Sequence, residues 1–338
     1  MKNTTAIRKE QFSGCLIGQC AGDALGFPVE GYPPEVCGPY AKEILRKEPA
    51  ELKGRGPFPF GQYTDDSQLA RELLQSYVDN KRFNPKDYSL RIAAIFSEER
   101  IVGRGRATEE AANRLIQGFS WENSGALPPS AGNGSAMRAG PIGLLFFDDT
   151  EKLIQAATDQ GKITHQDKRC SAGAVAIAGA VGLSLILKKI NVSEFLIQLS
   201  KWTLSLDHSM SQALKQLIDW ISLPPGEAVN IISHAGLSSG WSNAWPGISP
   251  FVIPSVLWSL YSFLKTPDDY LETIRTAIAC GGDVDTTAAM AGSISGAYLG
   301  LEAIPIQLTH CLTDQGTWGY NELLELAYKT FEIKMHQH

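Results

Sequence analysis

This chain has few cysteines and no pattern among them. Six are scattered at positions 15, 20, 37, 170, 280 and 311, with no CxxC pair. That spacing excludes a disulfide framework and a thiolate zinc site as organising devices, and reduced, buried thiols in a cytoplasmic protein are expected. Clustered positive charge is missing as well. Thirty Lys and Arg face thirty-six Asp and Glu, a net charge of −6, and no long basic run occurs, which argues against a nucleic-acid backbone as the primary ligand. No apolar run reaches the roughly 20 residues of a membrane span. The strongest, Ala172–Leu187, is rich in Ala and Gly and reads as a buried core helix, so no membrane insertion is expected. The N-terminus carries Lys2, Arg8, Lys9 and Glu10, and its first apolar stretch is interrupted by Gly14, Gly18 and Gln19, which does not read as a secretory signal.

Alternating β-branched runs are nearly absent, and helical periodicity takes their place. Phe12, Leu16, Cys20 and Ala24 recur every fourth residue, as do Leu69, Leu73 and Tyr77, and then Ala111, Leu115 and Phe119. Further helices are expected at 152–160, 170–188, 193–205, 209–222, 254–264, 268–280, 286–299 and 320–332. Gly/Pro/Ser clusters mark loops at 26–39, 54–61, 103–105, 128–140 and 224–250. The hydrophobic fraction of 43% suffices for a large core. No repeat and no linker divides the chain, so one all-α domain over 1–338 is expected, with helices apolar on every side at its centre.

Two acidic motifs stand out. Thr64-Asp65-Asp66-Ser67 immediately precedes a helical stripe, and Gly281-Gly282-Asp283-Val284-Asp285-Thr286-Thr287 precedes another. A helix N-cap explains one acceptor at such a place. Two acids and a hydroxyl exceed that need. Like charges so close repel unless a cation lies between them. Four carboxylates and two hydroxyls are hard oxygen donors, suited to Mg²⁺, Mn²⁺ or Ca²⁺. If the motifs meet in the fold, they build a two-metal oxygen site. Asp-Val-Asp-Thr-Thr also fits the DxDxT nucleophile of haloacid-dehalogenase-like phosphatases, but that reading needs a preceding strand and a following α/β domain, and neither is indicated.

Smaller features surround these motifs. Asp23, in an otherwise apolar, small-residue helix, reads as a helix-end hydrogen-bonder. Glu30, in a Gly/Pro-bounded loop, is either an exposed loop acid, a general acid/base or a metal-reaching group. The loops Gly103-Arg104-Gly105-Arg106-Ala107-Thr108 and Ser130-Ala131-Gly132-Asn133-Gly134-Ser135-Ala136-Met137-Arg138 are plain glycine turns or, with bare N–H groups at a helix start, anion cradles. His165 reads as a cap or packed polar residue, with a ribose contact as the alternative. Trp241, Trp245, Phe251 and Trp258 are core or a pocket wall.

Together these segments make the sequence resemble the ADP-ribosylglycohydrolase family across nearly its whole length: GDALG with a following Glu at 22–30, then TDDS, GRGRAT, GNGSAMR, THQD at 164–167 and GGDVDTT. The resemblance implies an orthogonal all-α fold around two Mg²⁺ or Mn²⁺ ions. By position it implies Thr64, Asp65, Asp66, Asp283, Asp285 and Thr286 as ligands, Asp285 bridging. Glu30 and Asp283 are the implied proton-transfer residues. Gly132, Asn133, Gly134, Ser135, Ala136 and Met137 match the diphosphate loop, Gly103 and Gly105 fall in the second small-residue loop, and His165 matches the histidine near ADP-ribose. Two departures bear on the pocket: Ser67 stands where relatives often carry Thr, and the extended segment 238–264 has Pro254 where an acid is common. The implied activity is metal-dependent removal of ADP-ribose from an acceptor, arginine first, then serine or a small conjugate. A catalytically silent ADP-ribose-binding or structural relative is the alternative, and a diphosphate-cleaving phosphohydrolase a third. A monomer is expected.

Overall fold

The computed structural model describes residues 6–43, 51–237 and 244–337. Its helices, in chain order, are α1 (Lys9–Gly26), α2 (Pro34–Glu43), α3 (Asp65–Asn80), α4 (Pro85–Ser97), α5 (Arg106–Ile116), α6 (Gly140–Phe146), α7 (Thr150–Lys162), α8 (Lys168–Ile186), α9 (Val192–Thr203), α10 (His208–Trp220), α11 (Pro225–Ile232), α12 (Val252–Lys265), α13 (Tyr270–Ala279), α14 (Val284–Leu299), α15 (Ile306–His310) and α16 (Tyr320–Met335). Among the described residues there is no strand, only isolated bridges such as Ile248 with Gly282. The fold is all-α, as the missing alternation requires.

The periodic segments become α1, α3, α5, α7 to α10, α12 to α14 and α16. The third stripe ends sooner than expected: α5 stops at Ile116, Gly118 turns the chain at φ +92°, and Phe119 lies half exposed. The supposed loops at 26–39 and 224–250 contain α2 and α11, and α4, α6 and α15 were not foreseen. Proline opens several of these helices, where its missing N–H costs nothing: Pro34 starts α2, Pro85 α4 and Pro225 α11.

Two apolar helices organise the interior. Helix α8 packs against α6, α7, α9, α12 and α14. It is long and apolar enough to cross a membrane, yet 83% of its most apolar window is buried inside the protein. Helix α14 runs against α1, and that pairing positions the site. Gly14, Gly18, Gly22 and Gly26 lie on one face of α1. A Cβ at Gly14 would come 2.3 Å from the carbonyl oxygen of Gly296, at Gly18 2.5 Å from that of Gly292, and at Gly22 2.1 Å from that of Ala288. At Gly26 it would come 2.4 Å from the Cα of Asp285. The helices are antiparallel with backbone on backbone, so the last turn of α1 is pinned to the first turn of α14.

Candidate active site

Six helices here begin by the usual rule, in which an Asn or Asp side chain accepts from an amide in the first turn. Asn84, Asp149, Asp167, Asn191, Asp207 and Asp269 cap α4, α7, α8, α9, α10 and α13 in this way. The helices that follow the acidic motifs depart from it. Neither Thr64 before α3 nor Asp283 before α14 makes a side-chain capping bond. Asp23 serves α3 instead, reaching across from α1. Its Oδ2 accepts from Ser67 N (3.1 Å), and both its oxygens lie 3.0 Å from Thr64 N. Asp23 is thus the helix-end hydrogen-bonder its surroundings suggested, and the motif's own side chains are left for other work.

Those side chains meet. Asp66 Oδ2 accepts from Thr286 Oγ1 at 3.3 Å across 220 residues of sequence. Carboxylate oxygens of Asp23, Asp66 and Asp285 lie within 4.8 Å of one another, and so do those of Glu30, Asp283 and Asp285. Asp285 belongs to both groups. Asp65 belongs to neither, but it borders the same cavity. The Thr64 hydroxyl lies 2.9 Å from Asp23 Oδ1 and 3.1 Å from Asp66 Oδ2, so one proton faces two acids. Burial, then neighbouring carboxylates, pushes Asp65 up to about 7 and Asp66 and Asp285 well above the usual range. Burial and then Glu30 raise Asp283 to about 6, and burial raises Asp23 to about 7.

Glycines permit this crowding. Gly103, at φ +77°, leaves so little space that a Cβ would sit 2.7 Å from Asp65 Oδ1, and Val102 O accepts from Asp65 N at 2.7 Å. Gly103 therefore cradles an acid. Gly281 and Gly282 take φ +74° and +89°. Gly282 O accepts from Gly31 N (2.8 Å) and Ile248 O from Asp283 N (2.8 Å), which clamps the second motif between the Glu30 loop and the segment before α12.

A cavity of about 370 Å³ opens over the acids. Of the residues singled out in the sequence, it is lined by Glu30, Thr64, Asp65, Asp66, Gly103, Gly105, Gly132, Asn133, Gly134, Met137, His165, Asp283, Asp285 and Thr286. Ser135 and Ala136 do not line it. The Ser135 hydroxyl donates to Cys170 O at 2.9 Å, and Ala136 is fully buried. Asn133 turns its amide to Asp283 Oδ2 (2.6 Å) and Ser255 Oγ (2.8 Å). Trp245 borders the cavity, Trp258 lies in the core stacked on Tyr261, and Trp241 falls outside the described residues. Pro254 sits buried in the first turn of α12.

Two partnerships at the site had no visible signal in the sequence. Arg55 binds Glu30 Oε2 at 2.9 Å and also the carbonyls of Phe27 and Glu30. Arg138 reaches Thr164, the neighbour of His165. Each pair is separated by more than twenty residues with no periodic relation, so only the fold reveals it. The donor set fits a hard divalent cation: all the clustered ligand atoms are oxygens, and Asp66 Oδ1 is buried with no hydrogen-bond partner.

The family model described as ADP-ribosylglycohydrolase matches residues 4–337. The ADP-ribosylhydrolase ARH3 of Xenopus tropicalis is 30% identical over 88% of this chain and 89% of its own length. The ADP-ribosylarginine hydrolase Tri1 of Pseudomonas putida is 24% identical over 88% of this chain and 72% of its own. A solved structure named as an ADP-ribosylglycohydrolase-related protein complex matches with a TM-score of 0.71 at 26% identity, covering 98% of this chain and all of that one.

Proposed function

The chain belongs to the ADP-ribosylglycohydrolase family, and from that premise we propose that it hydrolyses the bond between ADP-ribose and an acceptor, an ADP-ribosylated arginine side chain first and serine or a small conjugate next. The observation that carries this reading is the meeting of Asp66, Asp285 and Thr286 on the floor of a cavity whose volume suits a small-molecule site. Thr64, Asp65, Asp66, Asp283, Asp285 and Thr286 would hold two divalent cations, Mg²⁺ or Mn²⁺, with Asp285 shared. Such ions would supply Lewis acidity and charge neutralisation at the reacting ribose.

The protein's own groups divide the remaining work. Glu30 and Asp283 stand together at the acid cluster and are the proton-transfer pair, taking a proton from water as the sugar acquires oxocarbenium character. Asn133 fixes Asp283 by donating to its Oδ2. Arg55 fixes Glu30 in the same manner. The amide of Gly134, in the turn at 133–135, borders the cavity and lacks an acceptor within the turn, which suits it to a diphosphate oxygen. His165 faces the cavity beside it.

The test is turnover of ADP-ribosyl-arginine and ADP-ribosyl-serine substrates with and without EDTA. The expected result is release of intact ADP-ribose that stops on chelation. Chelator-insensitive release would remove the cations from the mechanism. Release of AMP would replace the reading with a phosphohydrolase, and tight ADP-ribose binding without turnover of any conjugate would make the protein a silent relative.

A further inference from the structure

Arg138 is fully buried below the 132–137 loop, and its hydrogen bonds go only to neutral groups. Nε donates to Gln160 Oε1 at 2.9 Å, and Nη2 donates to Gln160 O at 2.9 Å and to Thr164 Oγ1 at 2.7 Å. Nη1 is buried without a partner, and the guanidinium lies 5.8 Å from the centre of the Tyr88 ring. The field of Asp65 offsets part of the cost of burying this cation, but its hydrogen bonds reach no carboxylate, and an anion in the cavity would answer the rest.

Thr164 connects it to the cavity. Its Oγ1 lies 2.8 Å from His165 Nδ1. A guanidinium can only donate, so Thr164 Oγ1 must accept from Arg138. The Thr164 hydroxyl is completely buried, and those two groups are its hydrogen-bond neighbours. If Nδ1 carried a proton, both neighbours would be donors and the hydroxyl proton would have no acceptor. The hydroxyl therefore donates to Nδ1, and the neutral ring keeps its proton on Nε2. That nitrogen faces the small-residue loop: a Cβ at Gly132 or Gly134 would stand 3.3 or 3.4 Å from it. Burial, and then Arg138, lowers the His165 pKa to about 3, so the ring is neutral at any working pH.

We propose that Arg138 and Thr164 are positioning residues that lock His165 as an Nε2–H donor toward an anionic oxygen of the ligand, with Arg138 the buried counter-charge of that anion. Polarisation runs along Arg138, Thr164 and His165, each bond strengthening the next. The anion is identified as a diphosphate only on the reading that the cavity takes an ADP-ribosyl group; the lock itself follows from the hydrogen bonds.

Nitrogen-15 NMR of histidine-labelled protein tests it, with the His165 signals assigned by their loss in His165→Gln. The expected result is a neutral ring protonated on Nε2 in the ligand-free wild type. Thr164→Val removes the hydroxyl at nearly constant volume. It should admit the other tautomer and weaken ADP-ribose binding about tenfold, the loss of one charge-assisted hydrogen bond. KM should rise with kcat little changed, because the donor engages bound substrate as well as the transition state. Thr164→Ser should recover most of the affinity and the wild-type tautomer. A wild-type ring protonated on Nδ1, or a Thr164→Val protein that keeps both tautomer and affinity, overturns the proposal. A locked wild-type tautomer in a protein that binds no ADP-ribose supports the lock and overturns the functional reading instead.

Discussion

A carboxyl group buried among other carboxyl groups holds its proton more tightly in the folded chain than in the unfolded one, and that sign governs how this protein meets pH. Burial and repulsion from neighbouring acids raise Asp283 from 3.8 to about 6 and Asp65 to about 7, and burial raises Asp23 to about 7. A raised folded value contributes stability that is complete below the unfolded value and is lost as pH climbs through the folded one. In EDTA, thermal melts should therefore show Tm falling between pH 5 and pH 8; a flat profile would mean that the acids are relieved in another way. Substituting Asp66, whose Oδ1 lacks a partner, separates stability from activity. Asp66→Asn should raise the cation-free Tm at pH 8 by removing one repelling charge. It should also lower turnover by about 100-fold or more, because a cation donor is gone. Two hydroxyls and four acids were legible as one site because their chemistry exceeds what a helix cap requires. The partners Arg55, Arg138 and Thr164 were not, because their role depends on contacts between separate segments. Gly103, expected as a plain turn or part of an anion cradle, lines the cavity and also leaves Asp65 the space it needs, which no spacing announces.

At the scale of elements, α1 and α14 set the geometry of the acids. Glycines that interrupt a hydrophobic pattern in sequence are, in α1, the contact surface itself. Gly22→Ala places a methyl 2.1 Å from the Ala288 carbonyl oxygen, so the helices must separate. The expected cost is about 3 kcal/mol or more. Activity should fall further than stability predicts, since Asp23 and Asp285 move apart with the helices. Gly226 in α11 has nothing within 4 Å of a Cβ and no positive φ. Gly226→Ala should be neutral or stabilising by up to about 1 kcal/mol. Chemical denaturation of the two variants measures the contrast, and similar effects in both would remove the close-packing argument. The helices with strong apolar stripes were legible. Helix α4 was missed although Asn84-Pro85 carries both a cap and a first-turn proline, and α11 was missed because the residues around Pro224 and Pro225 also fit a loop.

For the whole molecule, the acid cluster proposed to hold cations joins distant parts of the chain. Asp66 lies in the first turn of α3 and Asp285 in that of α14, and each helix start brings partial positive charge toward the acids. That dipole offsets only part of the repulsion. The start of α3 is tied separately to the segment between α15 and α16, where the Tyr63 amide donates to Thr313 O and Arg71 forms a buried pair with Asp314, at 2.6 Å, and α1 packs directly on α14. These contacts need no cation, so the donors are already assembled when an ion arrives. Unfolded chain cannot present them together, and binding therefore stabilises the folded state alone, by about 2.7 kcal/mol at one hundred times Kd. Titration of chelated protein with Mg²⁺ or Mn²⁺, in a background of NaCl that keeps ionic strength constant, should raise Tm without saturating once the site is filled, following the logarithm of ion concentration. Asp285→Asn, which weakens both carboxylate groups at once, should flatten that rise. If the variant responds like the wild type, the ions are binding elsewhere on an acidic surface and the shared aspartate is no bridge.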